Sequence, residues 1–107
     1  DCDGLEIARP VGSSRKIQRI GVCVGAGGSL LSEAGNVDAF ITGEMRHHEQ
    51  LDATSRGVAV LLAGHTQTER PYLKPLRQKL QNIAGMQLPW QISRSDRPPS
   101  TRFERPA

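Results

Sequence analysis

The sequence predicts an α/β fold built from three successive βα units, and three observations carry that prediction. Three apolar runs occur in order, Ile17–Val24, Val37–Thr42 and Val58–Ala63. Each ends in a glycine, Gly25, Gly43 or Gly64. A stretch able to form a helix follows each one, at Ser29–Ala34, Glu44–Arg56 and Thr68–Ala84. Continuous or β-branched apolar runs suit strands covered on both faces. Strands alternating with helices argue for a mostly parallel sheet flanked by helices.

The last helix has the clearest pattern. Leu73, Leu76, Leu80 and Ile83 form one apolar stripe, while Lys74, Arg77, Gln78 and Lys79 take the wet side. Pro75 is compatible with a regular helix that starts near Tyr72, because a proline in the first turn breaks no intrahelical hydrogen bond. Gly85 then ends the helix. Leu5–Ala8 reads as a short strand before a loop at Pro10–Ser14, and Gln87–Ile92 as a final strand that Pro89 confines to a sheet edge. Residues 1–93 are expected to form one α/β lobe and residues 94–107 an extended or disordered basic tail.

At 107 residues the chain is long enough for one domain with a modest core. Its 36% apolar and 23% charged residues suit an ordinary soluble domain, and no apolar run approaches the roughly 20 residues of a membrane span. The start, Asp1-Cys2-Asp3-Gly4, has neither an initiator Met nor the features of a signal peptide, and reads as a fragment or processed product. The net charge is +3. Arg94, Arg97, Arg102 and Arg105 outweigh Asp96 and Glu104, so the excess lies largely in the Pro-rich tail. With only Phe40, Tyr72, Trp90 and Phe103 as aromatics, nucleic-acid binding is disfavoured. Cys2 and Cys23 can pair in principle, but Cys23 lies in an apolar run where a buried free thiol is the usual state. No CxxC motif is present, and a reducing intracellular compartment is expected: cytoplasm first, with nucleus or mitochondrion as alternatives.

Ligands in open α/β sheets bind beyond the carboxyl ends of the strands. All three glycines fall at such ends, which makes Glu44 and His65 potential neighbours. Gly25-Ala26-Gly27-Gly28-Ser29 has the look of a phosphate-cradling loop, although a glycine-assisted βα turn explains it as well. His47 and His48 point about 100° apart on a helix, so they do not make a one-face ligand pair, whereas Glu44 and His48 are four residues apart and can share a face. His65 and Glu69 combine imidazole and carboxylate, which suit zinc, iron or manganese. Thr66-x-x-Glu69 also has the spacing of a capping box, which by spacing alone is the simpler reading.

Several of these motifs together resemble one family. Thr42-Gly43-Glu44-Met45-Arg46-His47-His48 is similar to the TGE-x-x-HH segment of the NGG-one interacting factor three family. Bacterial members of that family are often labelled GTP cyclohydrolase I type 2 homologues. Gly64-His65-Thr66-Gln67-Thr68-Glu69-Arg70 resembles its GH-x-x-x-ER signature, and Gly25–Leu30 its glycine-rich turn. The likeness runs in register over about residues 17–85.

The resemblance implies a two-lobed α/β protein, assembled as a hexameric ring, with a two-metal site between lobes. It makes His65 and Glu69 metal ligands, and places the remaining ligands, a histidine pair and an aspartate, in sequence that precedes this chain. Glu44 and His48 are then candidate proton carriers, and Gly25, Gly27, Gly28, Thr42, Gly43 and His47 supporting or substrate-binding positions. The expected activity is dinuclear metal-dependent hydrolysis of a phosphorylated or nucleotide-like substrate once the first lobe is present, with the isolated chain inactive. The alternative is an oligomeric scaffold or transcriptional co-regulator with a structural metal site and a protein partner.

Overall fold

The computed structural model of the chain describes residues 4–12, 15–85, 88–101, 103 and 105–107. Two compact units divide it, Asp1–Pro71 and Tyr72–Ala107. The first holds strands β1 (Glu6–Ala8), β2 (Ile20–Ala26), β3 (Ala39–Glu44) and β4 (Ala59–Leu62), with helices α1 (His47–Ser55) and α2 (His65–Glu69). A 3-10 helix, Gly28–Ala34, links β2 to β3.

The sheet order is β1-β4-β3-β2. The pairs β2–β3 and β3–β4 are parallel, and β1 is antiparallel to β4. The three-βα prediction therefore stands, and β1 adds a mixed edge. β2, β3 and β4 are added in one direction, and right-handed crossovers then put the 3-10 helix and α1 on one face. The core lies there: Leu31, Phe40, Met45, Ala53, Val58, Val60 and Leu62. Gly21 makes room for the Phe40 ring, since a Cβ at that position would lie 2.8 Å from Phe40 Cδ2.

On the other face the expectation of full cover fails for β2. Ile20, Val22 and Val24 are exposed, because β2 is an edge strand whose crossover helices pack on the opposite side. Cys23 is half-buried and carries a free thiol, and Cys2 lies outside the described residues.

Strand ends differ from the sequence expectation for local reasons. β2 starts at Ile20 rather than Ile17, where the Asp38 carboxylate accepts the amides of Gln18 and Arg19, both at 2.9 Å. Those two bonds hold the Asp38 pKa below its ordinary value. Its register shifts between Cys23 and Ala26, where Gly25 takes φ +69°. β3 continues through Glu44, which pairs with Ala26, so helix α1 begins at His47 and not at Glu44. The shared helical face expected for Glu44 and His48 does not form. Glu49 anchors that start by accepting the Arg46 amide at 2.9 Å, and Gly57, at φ +81°, follows its end.

The predicted helix over Thr68–Ala84 is split. α2 already begins at His65, a 3-10 turn spans Arg70–Tyr72, and α3 runs from Leu73 to Ala84. Pro71 causes the break, because it has no N–H to continue the hydrogen-bond ladder. In the second unit Pro75 lies in the first turn of α3, and Gly85 caps its end at φ 78°. Leu73, Leu76 and Leu80 are half-buried while Ile83 is exposed. Lys79 Nζ donates to the Tyr72 hydroxyl at 3.0 Å. The strand expected at Gln87–Ile92 is absent over residues 88–92, where Pro89 lacks a ladder donor; Gln87 lies outside the described residues, as do Ser13 and Ser14 of the predicted loop and Arg102 and Glu104 of the tail. Among the described residues no helix is long and apolar enough to cross a membrane.

Candidate metal centre

The carboxyl ends of β2, β3 and β4 bring the three glycine turns together. Gly43 sits where they meet: a Cβ there would lie 2.6 Å from the Gly25 carbonyl, 2.7 Å from the Gly64 carbonyl and 2.7 Å from Thr68 Oγ1. Only glycine allows that approach. Two threonines tie the turns. Fully buried Thr42 accepts the Gly27 amide at 2.9 Å and donates to the Gly25 carbonyl at 3.1 Å. Thr68 accepts the Gly25 amide at 2.9 Å and donates to the His65 carbonyl at 2.9 Å.

This framework sets His65 between two carboxylates. Its Nδ1 lies 2.9 Å from Glu44 Oε1 at the end of β3, and its Nε2 lies 3.2 Å from Glu69 Oε2 one helical turn onward. The hydrogen bond to Glu44 and the nearby charges of Glu69 and Glu44 raise the His65 pKa against a smaller opposing effect of burial. Gly25 borders the pair, since a Cβ there would lie 2.5 Å from Glu69 Oε1 and 3.4 Å from His65 Nε2.

The capping-box alternative is overturned. Gly64, not Thr66, is the cap of α2; Thr66 is inside the helix, and Glu69 turns to His65. The sequence placed Glu44 beside His65 from strand order alone, and the structure has them in contact. His47 and His48 occupy the exposed first two positions of α1, and neither bonds to Glu44 or His65. Sequence reasoning missed Thr68 and Glu49. The only local signals were a hydroxyl three residues after His65 and a Glu three residues after the helix cap.

A cleft of about 550 Å³ opens beside Glu44. Ala26, Gly28 and Ser29 line it from the β2 turn, and Glu44, Met45, Arg46 and Glu49 from the β3–α1 turn. The Glu49 carboxylate lies against Gly28 so closely that a Cβ there would overlap it.

The donor chemistry fits a divalent ion in part. A nitrogen and an oxygen 3.2 Å apart suit two ligands with bonds of roughly 2.0–2.2 Å to one ion. A carboxylate on the far ring nitrogen is the usual outer partner of a ligating histidine. Among the described residues, however, no group of three or more His, Cys, Asp or Glu side chains is arranged to hold a metal. Among the described residues His65 and Glu69 offer two donors to one ion, short of the four of a closed site.

Fold and site together define an α/β protein with a carboxylate-flanked histidine at the carboxyl ends of the parallel strands of a mixed sheet. Comparison with known proteins narrows this class: the profile of the Duf34/NIF3 (NGG1p interacting factor 3) family matches residues 3–99, and the chain belongs to that family. It is 39% identical over 77 residues to the Schizosaccharomyces pombe protein NIF3 homolog, covering 71% of this chain and 27% of that one. It is 34% identical over 80 residues to the Campylobacter jejuni GTP cyclohydrolase 1 type 2 homolog, covering 74% and 33%. Among solved structures, the Staphylococcus aureus protein SA1388 superposes with a TM-score of 0.72 at 25% identity, covering 95% of this chain and 34% of that one. The chain thus spans about a quarter to a third of the length of these relatives.

Proposed function

We propose that this chain supplies His65 and Glu69 to a divalent-metal site, and that the chemistry of the completed site is hydrolysis. The observation that carries the reading is the orientation of His65. Glu44 faces Nδ1 and favours a proton there, so that an ion displacing the proton on Nε2 would meet that nitrogen and the Glu69 carboxylate on one side. When bound, a zinc, iron or manganese ion supplies Lewis acidity toward water and a substrate oxygen. His65 and Glu69 hold the ion, and Glu44 orients the imidazole. Glu44 is also the proton carrier in this reading, because it lines the cleft as well as touching His65. His48, exposed at the start of α1 and touching neither group, is the second candidate proton carrier of this reading.

Two donors bind an ion weakly. The further donors belong to the additional length present in the relatives, and activity of this chain alone is not expected. The cyclohydrolase name of the Campylobacter jejuni relative agrees with a hydrolytic reaction, and the free Cys23 thiol with a reducing intracellular setting.

Calorimetric titration of the chain with Zn²⁺ tests the assignment. His65→Ala and Glu69→Gln are each expected to remove measurable binding, and Glu44→Gln to weaken it by about tenfold. If His65→Ala binds zinc as tightly as the unaltered chain, the reading fails and a scaffold role without this metal site takes its place.

A further inference from the structure

The cleft beside Glu44 has a volume in the range of small-molecule sites, about 300–1,000 Å³. The glycine-rich turn beside it spends several of its backbone amides away from the cleft. The Gly25 and Gly27 amides are both spent inward on threonine hydroxyls, and the Leu30 amide on the Gly27 carbonyl. These glycines serve close packing of the turns. If the cleft recognises an anion, a side chain must do most of it, and among the described residues Arg46 is the only cation that lines it.

Arg46 is set for that role. It precedes α1 in extended backbone, φ −66° and ψ 151°, with its amide tied to Glu49 Oε2 at 2.9 Å. Its position is therefore fixed by the main chain and does not depend on its own side chain. A guanidinium has no acceptor, so it cannot cap the helix in return. It forms no ion pair with Glu44 or Glu49, although both carboxylates line the same cleft. A planar five-donor fork facing a wall of small residues (Ala26, Gly28 and Ser29), with Glu44 and Glu49 on its own side, suits a phosphate or carboxylate bound through two parallel hydrogen bonds.

We propose that Arg46 anchors an oxyanion of the substrate, so that the site takes a small molecule carrying a phosphate or carboxylate group. The inference rests on the metal-site reading only in that the cleft adjoins Glu44, the residue that orients His65. Because Arg46 is exposed and the helix start is held by the Glu49 carboxylate on the Arg46 amide, substituting its side chain should leave the fold intact.

The test uses inorganic phosphate as the probe on the metal-free chain, followed by amide and arginine Nε–H NMR. Phosphate is expected to shift the Gly28 and Ser29 amides and the Arg46 Nε–H, with binding that weakens as salt rises. Arg46→Gln should weaken that binding by about tenfold or more, Arg46→Lys should retain part of it, and Arg77→Gln in α3 should change nothing. No shifts at millimolar phosphate, or equal binding by Arg46→Gln, would overturn the proposal. Zinc titration of the same variants separates the two readings. Arg46→Gln should keep the zinc affinity of the unaltered chain, while His65→Ala should lose zinc and keep phosphate. If Arg46→Gln loses both ligands, Arg46 acts through the metal site and is not an anchor. Absence of zinc binding throughout would defeat the metal reading and leave the phosphate result to stand on its own.

Discussion

At the scale of single residues, His65 concentrates the electrostatics of the site. Its two ring nitrogens each face a carboxylate, at 2.9 and 3.2 Å, and the protonated ring is favoured. A folded pKa raised above the unfolded value, about 6.5, makes a definite prediction. In the metal-free chain this contribution to stability is complete below the unfolded pKa, and is lost as pH rises through the higher folded one. The Glu44 hydrogen bond is the largest cause, so Glu44→Gln should move the His65 titration down toward the ordinary range. NMR titration of the His65 ring in both proteins checks this, and an unmoved midpoint would remove Glu44 from its assigned role. The same residue shows how far sequence reading reaches. His65 and Glu69 stood out as a possible pair, yet by spacing alone a capping box was the simpler reading. Only the position of Gly64, at φ 90° as the cap of α2, decides between the two.

At the scale of elements, the glycine that ends each apolar run was the most informative feature of the sequence. It located the carboxyl ends of β2, β3 and β4, and with them the edge where Glu44 and His65 meet. What stayed hidden was non-local. Thr42 and Thr68 look like ordinary strand and helix residues until the turns of β2 and β3 come within hydrogen-bond reach. Helix boundaries were lost to the Pro71 break and to the extension of β3 through Glu44. The exposed side of β2 contradicts its continuous apolar run, because strand order decides cover and periodicity does not reveal order. Thr42 gives this scale its prediction. Replacing its buried hydroxyl with a methyl leaves the Gly27 amide and the Gly25 carbonyl without their partner. Thr42→Val should therefore destabilise the chain by about 1–3 kcal/mol. Thr42→Ser, which keeps both bonds, should retain most of the stability by chemical denaturation. Equal loss in the two variants would show that the methyl group matters and the hydroxyl does not.

At the scale of the whole molecule, the proposed reading makes the chain a fold unit that contributes part of a site. It spans about a quarter to a third of its relatives' length and presents one His–Glu pair where an ion needs four or more donors. The ring assembly and the transcriptional partner implied by the resemblance are proposals here. A metal bound only through this chain should be weak, selective for imidazole-plus-carboxylate chemistry, and located at a single place. That location is what the account commits to, and crystals grown with Zn²⁺ test it by anomalous scattering at the zinc edge. A peak is expected within bonding distance of His65 Nε2 and the Glu69 carboxylate, with Glu44 still on Nδ1. A peak between Nδ1 and Glu44, or none near His65 when zinc is bound elsewhere, would contradict it.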